Sequence, residues 1–220
     1  MSGLQDRMAG DASLREIPAG LWDRLRADPS RAPEYLALEA AERHGPAAAA
    51  WVAEKRSRLA ASPHDLALMA KKRHASMARL GGAVTGVGGF ITVVPDLAAT
   101  AWIQSRCVFF IAASYGFDPL DPMRPAELLV LQDLYPDPSA ARAALDGTGT
   151  KMTEAMVGAR MGPSEDALTK RLARMVGKRA VRRVGARLVP GFAIAVNAIG
   201  NERDTRALAD RAIAFYGGGS

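Results

Sequence analysis

The stretch Leu80–Pro95, with the sequence LGGAVTGVGGFITVVP, decides the fold class of this chain. It carries no charge, and five of its residues are glycine. Small residues recur at helical spacing, as in Gly82 and Gly86, and such faces let two helix backbones approach closely. Because the stretch is shorter than the ~20 apolar residues that span a bilayer, it predicts one arm of a buried helical hairpin.

The apolar character persists beyond Pro95, where Asp96 and Arg106 are the only charged residues up to residue 117. Asp96 is predicted to cap a helix that starts at Leu97. Alternatively it pairs with Arg106, because an unpaired buried charge is costly, or the two form a functional polar site. A second apolar stretch, 188–200, has Asn197 as its polar residue.

The N-terminal part of the chain predicts amphipathic helices separated by proline and glycine. One helix is predicted over residues 18–27, and a second from Pro33 to a break at the His-Gly-Pro sequence that ends with Pro46. Pro46 is predicted to begin the next helix, since proline at the first helical position loses no hydrogen bond. Ser62 followed by proline predicts another helix start.

The C-terminal part of the chain contains similar signals for the starts and ends of helices. Helices are predicted over residues 125–134 and 138–147, with a less regular one near 152–161. Ser164, followed by two acidic residues, predicts a helix start because carboxylates suit the first turn. A final helix is predicted from Asp204.

These patterns predict the fold class and the domain organisation. Alanine, leucine and arginine are abundant and β-branched residues rarely form runs, which favours helix. We expect an all-α fold: a single domain of amphipathic helices around glycine-rich apolar hairpins over residues 16–217. Residues 1–15 are predicted to be a loose leader and residues 218–220 a flexible tail. The two apolar stretches are similar to each other, which a duplicated hairpin or chance similarity would explain equally well.

Composition and charge restrict the class of protein. The 29 basic residues exceed the 23 acidic ones, for a net charge of +6, which favours either an anionic partner or a solvated basic surface. Cys107 is the only cysteine, so we expect no intramolecular disulfide and a small buried hydrophobic side chain. The polar N-terminus shows no signal peptide. We therefore expect a cytoplasmic protein.

The most basic part of the chain follows Ser164. In its first helix the apolar residues fall on one side and the basic residues on the other, whereas after Gly177 the apolar side is rotated by more than a right angle. The segment therefore predicts two amphipathic helices or one kinked helix. Basic clusters of this kind bind anionic lipids. We predict a membrane or partner contact formed by Lys170, Arg171, Arg174, Lys178, Arg179, Arg182, Arg183 and Arg187.

No convincing catalytic motif occurs in the sequence. His44, His64 and His74 lie in no HExxH or CxxC-type pattern, and no G-x-S-x-G is present. The sequence GTGTK at residues 147–151 lacks the Gly-Lys-Ser/Thr of a phosphate loop. We therefore expect no metal and no cofactor, and a non-enzymatic role is favoured.

Two sets of small and polar residues resemble the conserved blocks of EcsC family proteins. The first has spaced glycines, a Pro-Asp step and a closing Tyr-Gly, at Gly81, Gly82, Gly86, Gly89, Pro95, Asp96, Leu97, Tyr115, Gly116, Phe117 and Asp118. The second comprises Val184, Gly185, Ala186, Pro190, Gly191, Asn197 and Ala198, and departs from the family pattern at Arg187. The likeness extends from about Tyr35 to Tyr216.

This resemblance implies an α-helical protein of poorly known activity and no agreed catalytic residues. The family's namesake shares an operon with the two components of an ABC-type transporter, so a membrane complex is an implied partner. We expect a non-enzymatic cytoplasmic protein that associates peripherally with a membrane or a membrane complex through its basic segment. The sequence leaves open whether the apolar hairpins stay in the core or insert into lipid.

The sequence is also compatible with two other classes of function, a soluble scaffold and an enzyme. A soluble helical scaffold would bind an acidic protein through the same basic segment, and salt would weaken that contact. An enzyme would need a pocket near Asp96 and Arg106. Nucleic acid is disfavoured as a partner because the basic segment has few aromatic residues and no recognised motif. Association into a homo-oligomer is compatible with the sequence.

Overall fold

The computed structural model describes residues 17–84, 93–147, 165–176 and 193–218. These residues form helices and no strand, which confirms the all-α prediction. The helices are α1 (Ala19–Ala27), a 3₁₀ helix (Pro29–Arg31), α2 (Ala32–Arg58), α3 (Pro63–Val84), α4 (Val93–Ser114), α5 (Met123–Leu131), α6 (138–147), α7 (Glu165–Val176) and α8 (Ala193–Gly217).

Helix α4 lies at the centre of the fold. Helices α3 and α8 pack against each other and against α4, and α2 and α7 also pack against each other and against α4. Within the described part, Leu97–Ser114 is the one helical stretch long and apolar enough to cross a membrane, and 94% of it is buried among the other helices. In this fold it forms the core of the bundle.

The directions of α3, α4 and α8 follow from their side-chain pairs. Lys71 pairs with Asp210, and Arg79 Nη1 lies 3.9 Å from Glu202 Oε2. A step of eight residues forward along α3 thus matches eight residues backward along α8, so these two helices are antiparallel.

Tyr115, directly after α4, contacts the start of α3 and the end of α8. Its hydroxyl lies 2.8 Å from His64 Nδ1 at the start of α3. Its ring packs against Gly217 at the end of α8, where a Cβ would lie 3.0 Å from the ring. Helices α4 and α8 are therefore parallel, and α3 runs against both.

The predicted helix break at Pro46 is wrong, because α2 continues through this proline. A proline inside a helix removes one backbone hydrogen bond and costs about 3 kcal/mol. Packing on both sides offsets this cost. His44 is fully buried, and Gly45 lies so close to the loop after α4 that a Cβ would be 2.8 Å from the carbonyl oxygen of Pro119. Tertiary contacts thus hold this turn helical.

Several predicted boundaries are confirmed. Helix α3 begins at Pro63 after Ser62, whose Oγ accepts a hydrogen bond from the Asp65 N–H at 3.1 Å. Asp65 Oδ2 accepts one from the Ser62 N–H at 3.1 Å, which completes a capping box. Helix α6 begins after Asp137, whose Oδ1 accepts the Ala140 N–H at 2.8 Å. Helix α7 begins at Glu165, directly after the predicted start signal.

Other boundaries differ from the predictions. Helix α4 begins at Val93 rather than at Leu97, so Asp96 lies inside the first turn and not at the cap position. Helix α8 is continuous from Ala193, although the sequence predicted a separate final helix from Asp204. Helix α8 packs along α3 over much of its length, and this long contact accounts for its continuity. The predicted helix near 152–161 and the leader over 1–15 lie outside the described residues.

Helix α5 ends earlier than the predicted residue 134, at Leu131. Asp133 has φ 58°, the left-handed conformation that favours glycine. Its N–H donates to the Val130 carbonyl at 2.9 Å, and the Leu134 N–H donates to the Leu129 carbonyl at 3.0 Å. These two bonds form a Schellman motif. The same motif ends α4, where Gly116 has φ 91°.

Replacing Asp133 by glycine is expected to stabilise the fold by about 0.5 kcal/mol, because the left-handed conformation strains any residue with a Cβ. The matched Asp133→Ala variant is expected to destabilise it, since alanine lacks the short polar side chain that tolerates this conformation. Urea unfolding followed by circular dichroism measures both. Equal stability of the two variants would show that Asp133 does not hold this conformation in solution.

Candidate contact surface and buried polar clusters

Helix α7 carries the described part of the predicted basic contact. Its apolar side packs against α4, α2 and the 3₁₀ helix and consists of the buried Leu168, Leu172, Ala173, Met175 and Val176. On the outer side Lys170 and Arg174 are exposed, and Arg171 is half-buried. No ion pair or hydrogen bond joins any of these three side chains to another residue of the part of the chain that the structure describes.

The remaining basic residues of the predicted contact follow the end of α7. They lie outside the described residues, as does the predicted change of direction at Gly177, and their contribution stays a prediction: Lys178, Arg179, Arg182, Arg183 and Arg187.

The surface beside α7 is of mixed charge. Helix α1 and the 3₁₀ helix pack next to α7 and contribute Arg26 and Arg31, with Arg26 5.8 Å from the Trp22 ring. On the same side Tyr135 donates a hydrogen bond to the carboxylate of Glu34. Burial and this carboxylate raise the pKa of Tyr135 to about 12. Arg26 is exposed on α1 and adds positive charge next to α7.

Asp96 and Asn197 lie at one level of the bundle. Asp96 is 19 residues before Tyr115 in α4, and Asn197 is 20 residues before Gly217 in α8. Because these parallel helices meet at Tyr115 and Gly217, each polar residue lies about 30 Å from that meeting point at 1.5 Å per residue. The structure thus places both backbones at the glycine-rich end, while their side chains are outside the described part.

Arg106 lies in a different part of the core from Asp96. Ten residues separate them along α4, about 15 Å of helix rise. Arg106 is 3% exposed, and its guanidinium lies 5.2 Å from the centre of the Phe110 ring. A single pocket lined by Asp96 and Arg106 is thus not favoured by the geometry.

Two histidines pack near Arg106, an association that the sequence analysis missed. The His44 ring from α2 lies 4.3 Å from the Trp102 ring, and the His74 ring from α3 lies 4.8 Å from Phe110. Trp102, Arg106 and Phe110 are four residues apart and share one face of α4. That spacing was the available sequence signal, but only the tertiary structure brings α2 and α3 to this face.

Burial lowers the pKa of His44 well below its usual range. The positive charge of Arg106, then that of His74 and Arg43, lowers it further. His74 is also buried, and its Nδ1 lies 2.8 Å from the carbonyl oxygen of Ala70. His44 is therefore neutral in the folded protein near neutral pH.

A second buried polar cluster joins α5 to the end of α8. Glu127 accepts hydrogen bonds from Arg124 and, at 2.7 Å, from the hydroxyl of Tyr216. The Arg124 guanidinium lies 5.1 Å from the centre of the Phe117 ring and 3.4 Å from Asp121 Oδ2. Burial raises the pKa of Glu127, while the bonds from Tyr216 and Arg124 oppose that shift. The sequence analysis did not single out this cluster.

Neither cluster has the character of a metal or nucleophile site. Within the described residues no group of three or more histidine, cysteine, aspartate or glutamate side chains is placed to hold a metal ion. Cys107 is fully buried, as predicted, and burial raises the pKa of its thiol to about 12. A thiol with such a pKa is a poor nucleophile near neutral pH.

Comparison with known proteins gives one match. A family model described as the EcsC protein family matches residues 54–217 of the chain. The matched region begins later than the predicted start near Tyr35 and ends one residue beyond Tyr216. The chain has no significant match to a curated protein or to a solved structure.

Proposed function

The chain belongs to the EcsC protein family, and from this premise we propose that it is a non-enzymatic cytoplasmic protein that docks on an anionic membrane surface. The contact is the basic outer side of α7, continued by the basic residues up to Arg187. A transporter-related membrane complex at that surface is the further partner, by analogy with the family's namesake.

The observation that carries this proposal is the arrangement of α7. Its apolar side is already used in packing against the core, so the helix presents a rigid basic side to a partner. Lys170 and Arg174 are exposed without an acidic partner among the described residues. Each basic residue near an anionic bilayer contributes about 1 kcal/mol to binding.

The two alternative functions, a soluble scaffold and an enzyme, are not equally well supported. A scaffold that binds an acidic protein would use the same side of α7, so the binding experiment must separate it from lipid. The enzyme alternative is the weaker one, because Arg106 is buried and about 15 Å of helix rise separates it from Asp96.

The double charge reversal Lys170→Glu and Arg174→Glu is expected to weaken binding to anionic vesicles by about tenfold or more, since both residues lie on the proposed contact. Co-sedimentation with vesicles of phosphatidylglycerol and phosphatidylcholine measures the binding. Raising the salt concentration is expected to weaken it, because the contact is electrostatic.

The matched control is Lys55→Glu and Arg58→Glu, which changes the net charge equally at the end of α2, away from α7. This control is expected to bind vesicles nearly as well as the natural chain. Vesicle binding that survives reversal in α7 would exclude the proposed contact. Absence of binding to anionic vesicles at low salt, together with salt-sensitive capture of an acidic protein, would favour the scaffold.

A further inference from the structure

Helix α1 lies beside the proposed contact on α7 and presents a tryptophan there. It packs against α2, the 3₁₀ helix and α7. The edge of α1 that faces α2 is marked by Arg24, which pairs with Glu39. Trp22 comes two residues earlier, about 200° away around the helix, and therefore lies on the opposite edge. Because Leu21 and Leu25 fill the inner side, the Trp22 edge is the one beside the 3₁₀ helix and α7.

Trp22 has the two environments that suit an aromatic side chain at a membrane surface. Part of its ring packs against the core, and the side chain as a whole is half-buried. Arg26 is exposed one turn later, with its guanidinium 5.8 Å from the centre of the Trp22 ring. Tryptophan is enriched at membrane–water interfaces because one part of the ring system is apolar and its N–H stays wet. The two side chains together thus fit the headgroup layer of a bilayer.

Basic side chains connect this pair to α7. Burial and the carboxylate of Glu34 raise the pKa of Tyr135 to about 12, and the charges of Arg31 and Arg171 oppose that shift. The guanidinium groups of the 3₁₀ helix and of α7 therefore lie near the same tyrosine ring. A basic band thus runs from Arg26 on α1, across the 3₁₀ helix, to the outer side of α7.

Acidic residues reduce the positive charge of this band without cancelling it. Asp23 is exposed on α1, and Asp28, directly after α1, is half-buried and accepts a hydrogen bond from Ser30. Two more acids, Glu165 and Asp166, are in the first turn of α7, where carboxylates stabilise a helix start. Against these four acidic residues stand five basic ones: Arg26, Arg31, Lys170, Arg171 and Arg174. The band keeps an excess of positive charge.

We propose that Trp22 is the interfacial anchor of the membrane contact, with its ring among the headgroups of an anionic bilayer and Arg26 on a lipid phosphate. The inference rests on the proposed function for the partner, and it adds α1 to the contact on α7. Packed helices lie about 8–10 Å apart, so a single bilayer surface reaches both. Because ring burial is not electrostatic, it gives the binding a part that salt does not screen.

Tryptophan fluorescence of the full chain tests this contact directly. The vesicles contain phosphatidylglycerol and a phosphatidylcholine brominated near the headgroup, which quenches only tryptophan close to it. The other two tryptophans, Trp51 and Trp102, are buried in the core. Binding is expected to quench the natural chain, whereas Trp22→Phe, which keeps an aromatic side chain, is expected to lose most of the quenching. Equal quenching of the two proteins would contradict the proposal.

Co-sedimentation measures the contribution of the ring to affinity. Trp22→Ala is expected to weaken binding about fivefold at low and at high salt, since the loss is one of apolar burial. Asp23→Asn is expected to strengthen binding at low salt only, because it removes an acidic charge from the band. The matched control is Leu68→Ala, at a leucine that is 42% exposed on α3, and it is expected to leave binding unchanged. Circular dichroism checks that each variant is folded.

The outcomes separate this inference from the proposed function. If the natural chain does not bind anionic vesicles at low salt, both are wrong. If charge reversal in α7 weakens binding but Trp22 is not quenched and Trp22→Ala binds like the natural chain, the anchor is refuted and the α7 contact stands. If Trp22 is quenched and charge reversal in α7 has no effect, the anchor stands and the α7 contact is wrong.

Discussion

Replacing Arg124 by methionine is expected to lower the free energy of unfolding by about 3–5 kcal/mol, because the change leaves the buried Glu127 without its cation. Glu127 is about 9% exposed, and its bonds come from Arg124 and from the hydroxyl of Tyr216. The variant retains the bond from Tyr216 alone, which cannot compensate a buried carboxylate. Urea unfolding at neutral pH, followed by circular dichroism, measures the loss.

Two further variants distinguish the charge from the packing. Tyr216→Phe removes one hydrogen bond and is expected to cost about 1.5–3 kcal/mol, since the acceptor is a charged group. Arg124→Met combined with Glu127→Met removes both charges together. The double variant is expected to recover only part of the stability lost by Arg124→Met, because apolar side chains replace the buried ion pair but leave the Tyr216 hydroxyl without its acceptor.

The control for this series is Arg58→Met. Arg58 pairs with Glu54 at 3.1 Å, but its side chain is 61% exposed, so we expect a change within about 0.5 kcal/mol. If Arg124→Met were as mild as this control, the cluster between α5 and α8 would be open to solvent. The end of α8 would then be held mainly by its apolar contacts.

Acidification below about pH 6.5 is expected to lower the free energy of unfolding through His44. The folded state keeps His44 neutral, since its pKa is well below the usual value of 6.5. The unfolded chain binds a proton there below about pH 6.5, so it binds more protons than the folded state as the pH falls. Stability therefore decreases by about 1.4 kcal/mol for each pH unit below 6.5, until the folded pKa is reached.

His44→Leu is expected to flatten this pH dependence, because leucine has no proton to bind and fits an apolar contact with Trp102. The groups that face His44 are Arg106 on α4, His74 on α3 and Arg43 on its own helix. The matched control is His64→Gln, since His64 is exposed at the start of α3. A pH dependence that is unchanged in His44→Leu would mean that another group causes it.

The sequence predicted those parts of the fold that depend on neighbours along the chain. The helical character follows from composition and apolar periodicity. The starts of α3 and α6 follow from cap residues, and the end of α4 follows from Gly116. In each case the determining contacts are formed within about four residues. The family was also recognised from local glycine and proline patterns, and residues 54–217 match its model.

The sequence alone did not predict which helices continue past a local break. Pro46 lies inside α2, and the stretch before Asp204 belongs to α8, although both positions carry signals for a boundary. Packing against distant segments decides these cases, because buried side chains on both sides of a break offset a cost of about 3 kcal/mol. Local propensity contains no information about such partners.

Which polar side chains are buried together depends on the tertiary structure. Arg124 and Glu127 are three residues apart, a spacing that is equally typical of a solvated helix surface. Their burial depends on Tyr216, 89 residues further along the chain. His44, His74 and Arg106 likewise approach each other only because α2 and α3 both pack on α4. The sequence by itself determined the helices and the family. The three-dimensional packing determined which charges are buried and which basic faces remain exposed, because burial depends on contacts between residues far apart in the chain.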